Sequence, residues 1–175
     1  MPSARSTRYA ALLRAVNVGG TGKLAMSDLR AMCESLGFEG VRTYIASGNV
    51  VFRSPESDSA IRKTLESALE AHAGKPVGVH VRTADELADI LRRNPFTDKP
   101  PNRTVAMLMD GQPDAAFVSE IRNIADEDIR PGKRELFIHF PSGQADTKLR
   151  FPAGFNGTGR NMNTVAKLAE LAAAL

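Results

Sequence analysis

The stretch that decides the fold is VRTYIASGNVVFRS, residues 41–54. Two runs rich in β-branched and aromatic residues flank Gly48-Asn49, a strong signal for a β-hairpin. If this dipeptide forms the turn, Ile45 lies opposite Phe52 across the ladder. That pairing directs Phe52 toward the core rather than toward solvent.

The segments on either side of the hairpin complete a β-α-β-β-α-β order. Residues 8–16 are apolar enough for a buried strand, and residues 27–37 carry an apolar stripe at helical spacing. Ser27 is the expected N-cap of that helix. After the hairpin, a second helix has His72 on its apolar stripe, and residues 77–82 form a strand. This order is that of a ferredoxin-like split unit.

The second part of the chain repeats most of this order. Thr83-Ala84-Asp85-Glu86 has the pattern of a capping box and begins a connecting helix. The elements after it are a strand at 103–109, a helix with Phe117, Ile121 and Ile124 on one side, a hairpin at Pro131-Gly132 and a last helix from about Asn161. We therefore predict an α+β fold of two ferredoxin-like halves with antiparallel sheets, residues 1–82 and 83–175, ending in a C-terminal helix.

Composition excludes several classes of protein. The single cysteine, Cys33, rules out an internal disulfide framework, and its place on a helical stripe predicts a core residue. No apolar run approaches the ~20 residues of a membrane span, and the first residues lack the apolar region of a signal peptide. We expect a cytoplasmic protein with no membrane partner, no metal and no cofactor.

Charge is unevenly distributed along the chain. Residues 1–54 contain seven Lys/Arg and three Asp/Glu, a net charge of +4. Residues 55–100 contain seven Lys/Arg and eight Asp/Glu, a net charge of −1. Residues 101–175 contain nine of each and have a net charge of zero. The excess favours an anionic partner for the first segment, either a small ligand or nucleic acid.

A glycine-rich segment, NVGGTGK at residues 17–23, follows the first strand. It is not a P-loop, because Asn17 replaces the first glycine and Leu24 replaces the hydroxyl residue that holds magnesium. A dinucleotide fingerprint also fails, because Ala46-Ser47 stands where an acidic residue is needed. A looser anion site, built from glycine N–H groups, a lysine and a helix N-terminus, remains open beside a plain turn. Its candidate residues are Arg14, Asn17, Gly19, Gly20 and Lys23.

A second polar segment, TGRNMNT at residues 158–164, begins the last helix. Arg160, Asn161 and Asn163 form a candidate anion or carbonyl clamp, with Lys148 as a further cation. The alternative is an elaborate helix cap, in which one asparagine has the capping role. We expect this segment to lie close to residues 14–23, and a solvent-facing Arg160 to contribute little to stability.

The quoted segments together resemble a bacterial family known as domain of unknown function 1697. The resemblance rests on LLRAVNVGGTGKLAMSDLR, GFEGVRTYIASGNVVFRS, NPF and TGRNMNTVAKL, in this order along nearly the whole chain. It implies a two-part α/β structure with ferredoxin-like halves, and no reaction. Members of the family have glycine at the position of Ala15 and tryptophan at that of Met162. We expect Ala15 to be harmless within a strand, and Met162 to remove a surface for aromatic ligands.

The leading hypothesis is a module that binds an anionic ligand, a nucleotide-type phosphate or nucleic acid. The RNA-binding signal itself is weak, because the strand at 49–54 lacks the alternating aromatic residues that stack on bases. The alternatives are an enzyme acting on a small anionic metabolite, with Lys148 or Arg160 stabilising charge, and a protein-interaction or homodimerisation module.

Overall fold

The structure is a computed structural model that describes residues 5–16 and 23–175. The chain forms two compact units: the first comprises Met1–Ala88 with Lys167–Leu175, and the second comprises Asp89–Ala166. The last nine residues therefore belong to the first unit. The predicted division of the chain at residue 82 stays a prediction.

Among the described residues, the first unit contains a four-stranded antiparallel sheet whose strands are connected by two helices, as the sequence predicts. Its elements are β1 (Thr7–Leu13), α1 (Met26–Ser35), β2 (Glu39–Thr43), β3 (Asn49–Ser54), α2 (Asp58–Ala73) and β4 (Val79–Thr83). The strand order is β2-β3-β1-β4. This order is the one that a ferredoxin-like split β-α-β chain produces, so the predicted fold class is confirmed.

The core of the first unit forms between one face of this sheet and the helices. Phe52 of β3 is fully buried and stacks on Phe38 with ring centroids 4.3 Å apart, so its predicted orientation is confirmed. Cys33 of α1 is fully buried in the same cluster. Burial raises the pKa of its thiol to about 12, because the thiolate would lose its hydration there. Cys33 is thus a core residue, as predicted.

The central hairpin forms where predicted, but in a different register. Thr43 of β2 pairs with Val50 of β3, which leaves residues 44–48 as the connection. Ile45 has a φ of +52° and is 48% exposed. The predicted pairing of Ile45 with Phe52 is therefore wrong, because Ile45 adopts a left-handed conformation that a strand does not contain.

Two helix starts test the capping predictions. α1 follows Ala25, which provides no side-chain cap, so the prediction of Ser27 as N-cap is wrong. The capping box before α3 (Ala84–Arg93) is confirmed. The N–H of Glu86 donates to Thr83 Oγ1 at 3.1 Å, and the N–H of Thr83 donates to Glu86 Oε1 at 2.9 Å.

The second unit contains another four-stranded antiparallel sheet. Its elements include β5 (Thr104–Leu108), α4 (Ala115–Ser119), β6 (Asp128–Pro131), β7 (Glu135–His139), β8 (Thr158–Asn161) and the first part of α5 (Met162–Ala173). The strand order β6-β7-β5-β8 repeats that of the first unit. Residues 140–157 connect β7 to β8 at the point of the order where the first unit has α2.

The second unit also departs from prediction at two elements. The last strand, β8, occupies residues that the sequence analysis places at the start of the last helix. α4 ends at Ser119, and Ile124 beyond it is 50% exposed, so the placement of Ile124 on the buried side of a helix is wrong.

Other expectations concern membranes and histidines. Within residues 5–16 and 23–175, none of the helices combines the length and apolar composition that a membrane crossing needs. The same residues contain no group of three or more His, Cys, Asp or Glu side chains able to hold a metal ion. His72 is exposed on α2, so its placement on the apolar stripe is wrong.

Candidate functional site

The structure places the candidate site residues in different parts of the chain. Arg14 and Lys23 belong to the first unit, whereas Lys148 and Arg160 belong to the second. The candidates Asn17, Gly19 and Gly20 lie outside the described residues. The expected proximity of residues 14–23 to residues 158–164 stays a prediction.

Arg14 follows the end of β1. Its backbone N–H donates to the carbonyl of Gly78 at 2.9 Å. Its side-chain stem passes beside Gly78, since Arg14 Cβ lies 3.6 Å from the position that a Cβ on Gly78 would occupy. The residue as a whole is exposed. A fixed backbone and an exposed side chain suit a guanidinium that contacts solvent or ligand.

Ala15, the next residue, has a φ of +55°. The expectation that alanine is harmless here is therefore wrong, because Ala15 lies beyond β1 in the left-handed region. That conformation costs roughly 1–2 kcal/mol for a residue with a Cβ and little for glycine. A glycine would fit this backbone better than alanine does.

Beside Ala15, the first unit has a cavity of about 200 Å³. Its polar lining comes from Lys23, His72 and Lys75, all exposed. Its apolar lining includes the buried side chains of Leu24 and Leu69. We call it the cationic cavity, because the described residues that line it include two lysines and no carboxylate.

Two helix ends lie close in sequence to the cationic cavity. α1 begins at Met26, three residues after Lys23, and its first turn has no side-chain cap. Uncapped N–H groups at a helix start favour an anion. α2 ends at Ala73, and the partial negative charge of that end opposes an anion by about half an elementary charge. The full charges of Lys23 and Lys75 exceed this opposing term.

Arg160 lies within β8 rather than at an exposed helix start. It is 8% exposed, and its Nη1 donates to Thr158 Oγ1 at 2.7 Å and to the carbonyl of Gly159 at 2.9 Å. Burial lowers the pKa of the guanidinium to about 10, because the charged form loses hydration. The guanidinium of Arg160 is thus hydrogen-bonded within the protein, which argues against a role in ligand binding.

The polar residues after Arg160 have separate roles. Asn161 Oδ1 accepts a hydrogen bond from the N–H of Thr164 at 2.9 Å, which is the geometry of an N-cap for α5. Asn163 is exposed one residue into the helix. The structure therefore supports the capping alternative for Asn161.

Lys148 lines a different cavity of the second unit, of about 760 Å³. Asp126, Glu127 and Asp146 line the same cavity. Three carboxylates around one lysine disfavour a phosphate at this place. Lys148 is therefore left out of the proposed site as well.

The two sheets carry an arginine at the same register position. Arg82 of β4 pairs with Ala10 of β1, and Arg160 of β8 pairs with Ala106 of β5. Both arginines are buried, and each donates through Nη1 to the carbonyl of the preceding residue at 2.9 Å. A small alanine opposite leaves space for the guanidinium. The sequence indicates the strand at 77–82 but not the burial of Arg82, since an arginine in a strand usually faces water.

The chain is similar to a known protein family and to a solved structure. A family model described as "Protein of unknown function (DUF1697)" matches residues 6–137. Among curated proteins, no sequence matches significantly. Among solved structures, the chain is similar to the conserved bacterial protein SP0830 from Streptococcus pneumoniae, with a TM-score of 0.79 and 26% identity over 96% of this chain and 99% of that one. The chain belongs to the DUF1697 family of proteins of unknown function.

Proposed function

We propose that the protein binds a small phosphate-type anion in the cationic cavity of its first unit. The observation that carries this proposal is the lining of the cavity. Two lysines and a histidine converge on about 200 Å³, and the described lining contains no carboxylate. Three polar groups that can donate to oxygen, with no anion among them, match the charge of a phosphate.

The volume favours a small ligand over nucleic acid. Pockets for drug-sized organic ligands span roughly 300–1,000 Å³, so about 200 Å³ fits a phosphate group or a small phosphate ester. Nucleic acid is bound instead by cations spread along a surface, so that several phosphates are contacted at once. The convergence of Lys23 and Lys75 on one cavity therefore favours one phosphate group.

The glycine-rich segment gives independent support. Val16 and Lys23 both line the cavity and stand on either side of residues 17–22 in the sequence. Backbone N–H groups of glycine-rich loops bind phosphate oxygens without a side chain in the way. Gly19 and Gly20 are proposed donors on this ground. Arg14, exposed beside Ala15 of the lining, is the proposed outer cation.

The test is a titration of the full chain, labelled with ¹⁵N, with inorganic phosphate, pyrophosphate and adenosine monophosphate. We expect saturable amide shifts at Leu24, Lys75 and Val77. In the single variants Lys23→Gln and Lys75→Gln, the loss of one charge should weaken binding about two- to fivefold, as for exposed ion pairs.

The matched control is Lys63→Gln, which removes one exposed lysine from α2 outside the cavity. It should leave the affinity nearly unchanged. Equal losses in the control and in Lys75→Gln would refute the site. Tighter binding of a single-stranded oligonucleotide, with shifts spread beyond the cavity and a steep salt dependence, would favour nucleic acid instead.

A further inference from the structure

The cationic cavity has an apolar side as well as a charged one. Val16, Leu24 and Leu69 line it and are buried members of the hydrophobic core of the first unit. Val77 also lines the cavity and packs against this core while remaining half-buried. The inner side of the cavity is therefore the edge of the hydrophobic core.

The charged side of the cavity faces solvent. Lys23, His72 and Lys75 are all exposed, whereas Leu69 on the apolar side is 1% exposed. A phosphate group bound by these exposed side chains keeps part of its hydration, and the group esterified to it meets the apolar side. The two sides together fit a ligand with one anionic end and one apolar end.

The apolar side disfavours sugars and nucleobases. Apart from the two lysines and the histidine, the described lining consists of residues with apolar side chains: Ala15, Val16, Leu24, Leu69, Ala73 and Val77. A hydroxyl group placed against these side chains would lose hydrogen bonds to water and gain none from them. The described lining also contains no Phe or Tyr side chain on which a base could stack.

We propose, resting on the phosphate site proposed above, that the cationic cavity binds phosphate monoesters of short aliphatic alcohols. Its volume of about 200 Å³ equals that of roughly seven water molecules, at about 30 Å³ each. A phosphate group and a chain of a few carbon atoms fill such a space. The phosphate contacts Lys23 and Lys75, and the chain lies against Val77, where its burial adds to the binding free energy.

A matched pair of esters tests the preference for an aliphatic chain. The full chain, labelled with ¹⁵N, is titrated with inorganic phosphate, n-propyl phosphate and glycerol 3-phosphate, and amide shifts are followed at Leu24, Lys75 and Val77. The two esters have the same carbon chain and differ by two hydroxyl groups. We expect propyl phosphate to bind about five- to tenfold more tightly than inorganic phosphate, from partial burial of its carbon atoms. It should bind at least about fivefold more tightly than glycerol 3-phosphate, whose hydroxyl groups lose hydration.

The outcomes separate this inference from the proposed function on which it rests. If inorganic phosphate shifts the cavity amides and glycerol 3-phosphate binds as tightly as propyl phosphate, the phosphate site stands and the aliphatic preference is overturned. If none of the three ligands shifts these amides, the phosphate site itself is refuted, and the aliphatic preference with it.

A variant connects the preference to the apolar side of the cavity. Val77→Thr replaces one methyl group of Val77 by a hydroxyl group, which can bond to a hydroxyl of the ligand. It should lower the ratio of the affinities for propyl phosphate and glycerol 3-phosphate about two- to fivefold. Val118→Thr is the matched control, since Val118 is also half-buried but lies in α4 of the second unit, outside the cavity. Its ratio should equal that of the unsubstituted protein. An unchanged ratio in Val77→Thr, or an equal fall in both variants, would overturn the placement of the chain against Val77.

Discussion

Arg160 Nη1 lies 2.7 Å from Thr158 Oγ1, two positions back on the same face of β8. This contact is buried and charge-assisted, which reverses the expected effect of mutating Arg160. Arg160→Ala should lower the free energy of unfolding by about 1–3 kcal/mol, because buried acceptors lose their donor. Urea midpoints measure the loss.

Arg92→Ala is the matched control for Arg160→Ala. Arg92 lies in the same unit, and its side chain is 74% exposed. Its removal should change the unfolding free energy by no more than about 0.5 kcal/mol. If Arg160→Ala behaves like Arg92→Ala, the contact with Thr158 contributes nothing to stability.

Ala15→Gly should stabilise the protein. The φ of +55° at Ala15 is strained for alanine and accessible to glycine. The gain should be about 0.5–1 kcal/mol, the strain relieved less the added entropy of the unfolded chain. Ala11→Gly, inside β1, should have the opposite sign, since glycine there adds an entropy cost and loses the packing of a fully buried methyl group. Thermal and urea unfolding measure the change in stability of both variants. A destabilised Ala15→Gly would contradict the argument.

Thr83→Ala should destabilise the protein by about 0.5–2 kcal/mol, because the capping box at α3 loses its acceptor. Thr83→Ser keeps the oxygen and should recover most of that loss. If serine and alanine are equally destabilising, the methyl group of Thr83, rather than its hydroxyl, is what matters. The free energies come from two-state fits to urea unfolding.

Cys33 makes stability dependent on pH in the alkaline range. Its thiol has a pKa of about 12 in the folded protein against 9.0 for an ordinary cysteine thiol, because burial disfavours the thiolate. This contribution is fully present below pH 9 and is lost as pH rises through about 12, since the unfolded chain ionises first. Between these values stability should fall by up to about 1.4 kcal/mol per pH unit from this group.

Cys33→Ala removes that pH-dependent contribution. The variant is less stable throughout because of the cavity, so the slope of unfolding free energy against pH is compared, between pH 9 and 10.5. A slope equal to that of the unsubstituted protein would show that Cys33 does not titrate differently in the two states.

The sequence predicts the first unit well because its signals are local and agree with one another. The apolar stripe containing Cys33, the β-rich runs around Gly48 and the Thr83–Glu86 box each specify one element by a short-range rule. The register of the hairpin was missed for a physical reason. Ile45 is a strand-forming residue by type, and only the fold places it in a left-handed connection.

β8 was missed because Thr-Gly-Arg-Asn has no apolar alternation. Its buried residues are Thr158 and Arg160, which a pattern of hydrophobicity assigns to solvent. The lining of the cationic cavity is only partly visible in the sequence. Lys23 is visible beside the glycines, whereas Lys75 and His72 reach the cationic cavity from the end of α2, some fifty residues later. Only tertiary structure brings such residues to one cavity.

The end of the chain completes the unit that the beginning of the chain starts. Arg8 Nη1 donates to the carbonyl of Ala173 at 3.0 Å, and Leu175 Cδ2 lies 3.3 Å from the Cβ position of Gly40. During synthesis, residue 167 follows residue 88 after 79 further residues, about 4–16 s at 5–20 residues per second. On the ribosome, all of the second unit has therefore been synthesised before the last residues of the first unit.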